Sequence, residues 1–337
     1  MTKHAIRHFR LQPSSANAGI PQWPSYTGES KLVGQSSNGR LTVYVDPTLG
    51  PQGLANANSL LKDADRVIDA NDAIFGTTGG PTSVIIFALD GHKDGSGGAD
   101  HGGCDYNVGA AIEVCAAFGE PQRVSALFEA ELSECSMGGN LCGLNTGEAL
   151  SRWCAMEISD NALSDFATGP AWVAGGQKNF VDQIDPTDQN PESTGCGMVF
   201  ISWLQSLGFA LNQIAPAMAD LGDGGTFATL YNHLTQKDAS SAWADFMAAV
   251  GALSAPISDD DPFAGVTPQV TSLQGVSRES AERLLSIVMD SLAAGHSAER
   301  LADRLAGAMA MAKVASPKRR APAKACTLGS HRLEKAA

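Results

Sequence analysis

The 337-residue chain is 43% hydrophobic and 18% charged, enough apolar material for at least one full core. It has no run of eighteen apolar residues, which excludes a membrane-spanning helix. Of its net charge of −13, residues 313–337 contribute seven Lys/Arg against one Asp/Glu; the first 312 residues therefore keep 16 basic against 35 acidic side chains, a net of −19 that excludes nucleic acid and anionic membranes as partners of the main body.

The start is basic, but its apolar runs are only two residues long, too short for a secretory segment, so the cytoplasm is the default compartment. Residues 1–40 are rich in Ser, Gly, Pro and Asn without periodicity and read as a poorly ordered arm. The core is expected over residues 41–263. Residues 41–46 alternate as a strand, a helical pattern runs to Phe75, and residues 83–89 form a buried strand. Residues 90–109 hold seven glycines and four aspartates, the composition of an irregular loop able to wrap an ion or a substrate. A short strand at 111–116 leads to two helices, about 122–137 and 147–157, and helices follow at 196–207, 211–221, 226–234 and 241–253. Prolines and Asp259-Asp260-Asp261 mark a linker, and residues 264–312 read as linker and helical hairpin before a basic disordered tail, 313–337, with its Lys318-Arg319-Arg320 cluster. Six of the seven cysteines fall inside the core region; without an export signal they are expected as free thiols, and none has the C-x-x-C spacing of a zinc knuckle.

On a helical wheel, Val124, Leu127, Phe128, Glu131 and Cys135 share one stripe. Glu131 sits at its centre, and a core-facing carboxylate is costly unless paired, protonated or bound to a cation. Glu134 flanks the same face, and Glu129 falls on the opposite, solvent side by periodicity. Glu148 lies in the first turn of the next helix, with Arg152 four residues on to pair with it.

The stretches Ala130-Glu131-Leu132-Ser133-Glu134 and Glu148-Ala149-Leu150-Ser151 resemble the gluzincin, peptidase-MA-like metallopeptidases, in which one helix carries H-E-x-x-H and a later one supplies a glutamate ligand. They also resemble a set of bacterial proteins sharing an E-A-E-x-x-E helix, to which no activity is assigned. The resemblance covers about two thirds of the chain and implies an α+β zincin-like domain, with a mixed sheet beside the motif helix and a helical C-terminal half, followed by the helical hairpin. It makes Glu131 the general base and Glu134 and Glu148 metal ligands, while Ala130 stands where the first histidine would be. His101, with Cys104 and Asp105 nearby, offers a further donor from the glycine-rich loop.

Two carboxylates and open positions suit a harder ion such as Mn²⁺, Mg²⁺ or Ca²⁺ better than Zn²⁺. Three readings follow. The first is a degenerate, non-catalytic cleft that binds a peptide or protein, with Glu131 protonated or paired to Arg152; this is the preferred expectation. The second is a metal-dependent hydrolase using Glu131, Glu134, Glu148 and His101. The third is a metal-free hydrolase using Glu131 and Glu134, or Cys135 with His101.

Overall fold

Strand β1 (Lys31–Gln35) runs antiparallel to β2 (Leu41–Val45), whose alternation of buried and half-buried residues matches its expected pattern. The computed structural model describes residues 21–102 and 110–265, together with the backbone of His331 and Arg332. These belong to one compact unit, residues 1–266 with 323–337; a second unit, residues 267–322, lies outside the described residues and with it the expected hairpin.

After β2 the chain enters helix α1 (Gly50–Phe75), with Pro51 in its first turn and Gly76 closing it in the left-handed conformation. The helix returns to β3 (Thr82–Phe87), parallel to β2. Strand β4 (Ala99–Gly102) is antiparallel to β5 (Ala111–Cys115), which in turn is parallel to β3. A two-residue strand, β6 (His331–Arg332), pairs with the outer side of β4, and the sheet order is β1-β2-β3-β5-β4-β6. Consecutive residues Val84, Ile85 and Ile86 are all fully buried, as expected of parallel strands covered on both faces.

Helix α2 (Pro121–Ser136) follows β5, and α3 (Asn145–Ile158) packs against it. Gly138 and Gly139 both have positive φ, which lets the chain turn sharply between the two helices. The helical half comprises α4 (Gly169–Ala174), α5 (Pro191–Ser206), α6 (Leu211–Leu221), α7 (Phe227–Thr235) and α8 (Ala242–Gly251). Its core is aromatic: Phe200 contacts Trp203, Phe227 and Phe246 at centroid distances of 5.2, 5.4 and 5.1 Å. At Gly197 a Cβ would come within 2.6 Å of Ala149 and Phe227, so the absence of a side chain there sets how closely α5 approaches α3. Trp153 and Trp203 are core residues and Trp243 packs at the edge of the same cluster.

The fold class is α+β, as the sequence implied, but three local expectations are corrected. From residue 21 onward the arm is built into the domain. Its Ser25 and Tyr26 amides donate to buried Glu113 at 2.9 and 2.6 Å, Ser25 Oγ adds a third bond at 2.6 Å, and β1 extends the sheet. The glycine-rich loop is interrupted by β4, a strand too short and too polar to show as an alternating pattern. The start of the supposed linker is packed: Asp260 accepts from the Thr168 and Gly169 amides at the entry to α4, and Asp261 accepts from Ser202 Oγ. Residues 1–20 and the basic tail apart from β6 lie outside the described residues.

Candidate functional site

Helix α2 is enclosed on every side, with residues 123–133 and Cys135 all buried. Its start is fixed by Pro121 and by Arg123, whose guanidinium makes two bonds of 2.7 and 2.9 Å to Asp165. A helix surrounded by β4, β5, α1 and α3 has no solvent face. This overturns the expectation for Glu129, which is fully buried with both carboxylate oxygens lacking a hydrogen-bond partner. Burial drives its pKa well above the usual carboxylate range, against the opposing pull of Arg66.

Glu131 is inward, as its place on the apolar stripe required, and only 1% exposed. It meets His101, which β4 brings across from the neighbouring strand: the alternation along β4 turns His101 toward α2 and Asp100 to the opposite face, opposite Glu113 in register. His101 Nε2 lies 3.1 Å from Glu134 Oε2 and 4.0 Å from Glu131 Oε2. Ser151 Oγ of α3 stands 3.1 Å from Glu134 Oε1 and orients that carboxylate from the other side. Burial works against a charged imidazole at His101, but Cys135, Glu134 and Glu131 outweigh it and hold its pKa well above the ordinary value. Burial, then repulsion from Glu134, pushes the Glu131 carboxyl well up, with His101 opposing.

The residues singled out in the sequence thus separate into two groups. His101, Glu131 and Glu134 converge, and Cys135, fully buried on the helix of the two glutamates, bears on His101 as well. Glu148 instead bonds to Arg152 Nε at 2.5 Å, as the four-residue spacing implied, and Arg152 also donates to the Phe166 carbonyl at 3.1 Å. Burial raises Glu148 to about 8, more than Arg152 lowers it. The guanidinium therefore serves Glu148, whereas the charges bearing most on Glu131 are Glu134, His101, Asp100 and Glu148. Asp105 and Cys104 lie outside the described residues. Ser151 was not singled out in the sequence; its only signal was its place one turn after Glu148. Cys115, Cys135, Cys154 and Cys196 are free thiols as expected, but Cys142 is disulfide-bonded, which corrects the expectation for that residue.

One ligand atom from each of His101, Glu131 and Glu134 can be chosen so that all three lie within 4.8 Å of one another. Glu131 Oε2 is buried and has no hydrogen-bond partner, the condition a bound cation would relieve. One imidazole and two carboxylates form a mixed hard and borderline donor set, suited to Zn²⁺ or Mn²⁺. A surface pocket of about 580 Å³ lies elsewhere, lined by Lys62, Arg66, Gln122 and Glu157 among others, and none of the three cluster residues borders it. Compared with known proteins, the chain matches no family model and no curated sequence.

Proposed function

We propose that the chain is a zincin-like, metallopeptidase-related domain in which His101, Glu131 and Glu134 hold a divalent cation for hydrolysis of a peptide-like bond. The observation that carries this reading is the buried, unpartnered Glu131 Oε2 beside an imidazole and a second carboxylate, 4.0 Å from His101 Nε2. The chain order supports it: a sheet, then a helix with Glu131 and Glu134, then a helix opening on Glu148-Ala149-Leu150-Ser151. A divalent ion held there would polarise a carbonyl and acidify a water. Glu134 has the most exposed side chain of the three, at 11%, and Ser151 Oγ orients it from α3. Glu148, bonded to Arg152, is a positioning residue at the start of α3.

The test is cleavage of an unfolded protein substrate with added Mn²⁺ or Zn²⁺, with and without chelator, by the wild type and by Glu131→Gln. Chelator-sensitive cleavage lost in Glu131→Gln supports hydrolysis; its absence from the wild type removes it. A second reading then takes over, a non-catalytic cleft that binds a peptide or protein. It does not require a substrate to reach the cluster, whose His101 and Glu131 side chains are 0% and 2% exposed.

A further inference from the structure

Strand β4 ends the five longer strands of the sheet, and a strand in that place offers a row of backbone donors and acceptors to any extended chain. Here the row is met by the chain's own far end: His331 pairs antiparallel with His101, and Arg332 with Asp100. The partner residue of that ladder, His101, is also a member of the cluster with Glu131 and Glu134. The two residues of β6 sit in a stretch, 313–337, that carries seven basic side chains against one acidic. Charged groups of both signs surround the cluster: Glu134, Asp100 and Glu148 act on Glu131 against His101, and Glu134 and Asp188 act on Glu148 against Arg152. The first 312 residues carry a net charge of −19, so a basic segment is drawn to the body by charge and fixed at β4 by main-chain bonding.

We propose that the outer edge of β4 is a strand-addition site for an extended basic peptide, and that the chain's own segment at His331–Arg332 is its resident occupant beside the His101–Glu131–Glu134 cluster. Among the described residues two are laddered, and a longer strand supplied in trans would compete for the same edge. The segment acts as a tethered competitor: its local concentration, set by the connecting chain, is what an external peptide must overcome. The pairing goes beyond the cation reading and does not depend on it.

The experiment uses the full chain and its double variant His331→Pro/Arg332→Pro, in which both residues lose the backbone donor a ladder needs. The probe is a fluorescein-labelled peptide of residues 313–337 with Cys326→Ser, followed by anisotropy. The variant is expected to bind the peptide at least ~10-fold more tightly than the wild type, because the tethered competitor is gone. Hydrogen exchange at residues 99–102 is expected to be faster in the variant and to slow again when peptide is added. Equal peptide affinity in the two proteins, or unchanged exchange in β4, overturns the proposal. So does protection that appears only when wild-type chains dimerise, since the strand would then come from a second copy. Cation affinity measured on the same samples is expected to be the same in both proteins, which keeps failure of this pairing distinct from failure of the cation site.

Discussion

His101 Nε2 stands 3.1 Å from Glu134 Oε2, although the two residues are 33 positions apart, one on β4 and the other on α2. The contact depends on the antiparallel run of β4 against β5: a strand in this register turns His101 toward the helix that β5 feeds. Everything proposed about the site descends from this meeting of one imidazole with the two acidic groups of α2.

Glu148 and Arg152 form a buried pair, their side chains 2% and 9% exposed. Removing the guanidinium leaves a carboxyl in the interior without its partner, so Arg152→Ala is expected to destabilise the domain by about 3–5 kcal/mol. Adding Glu148→Gln should recover part of that loss. Urea unfolding of the two variants checks it; equal stability of Arg152→Ala and wild type would show that the pair does not form.

Glu129 supplies a pH signature. Its carboxyl is fully buried and its folded pKa lies well above the unfolded value, so its stabilising contribution is complete below the unfolded value and is lost as pH rises toward the folded one. Glu129→Gln removes that loss. The unfolding midpoint of the variant relative to wild type is expected to be close to zero difference near pH 4 and to grow in the variant's favour toward neutrality. A difference that stays flat with pH would place Glu129 in water.

Much of this was legible in the sequence, and the failures have physical reasons. Glu131 was found because an acidic residue sat among Val124, Leu127, Phe128 and Cys135 on one stripe, and the Glu148–Arg152 pair because the two are four residues apart on a helix. Glu129 was misplaced because periodicity assigns a solvent face to a helix that here is enclosed by sheet and helices alike. Strand β4 was hidden because Ala99-Asp100-His101-Gly102 has neither β-branched residues nor an apolar alternation, and its formation is decided by β5 alongside it. Strand β1 was absorbed into the arm for a related reason: Lys31-Leu32-Val33-Gly34-Gln35 is an exposed edge with little to bury.

The arm makes its own prediction. Glu113 is fully buried and, among the described residues, takes its bonds from Ser25 and Tyr26, so Glu113→Ala removes the anchor of residues 21–30. A loss of about 2 kcal/mol is expected, from a few bonds to a charged group. The accompanying sign is faster protease cleavage within residues 21–30. Unaltered cleavage would show that Trp23 and Tyr26, packed on Tyr44 and Phe87, hold the arm without the carboxylate.

The most direct measurement of the central claim is divalent-cation binding by native mass spectrometry and calorimetry, on protein purified without chelator. The account predicts one equivalent of Zn²⁺ or Mn²⁺ per chain. Affinity should fall by about 100-fold or more in each of His101→Ala, Glu131→Gln and Glu134→Gln, since losing a ligand costs at least as much as losing a group that supports one. Glu148→Gln should change it far less. A wild-type chain that stays folded, carries no stoichiometric ion and takes up neither metal contradicts the account.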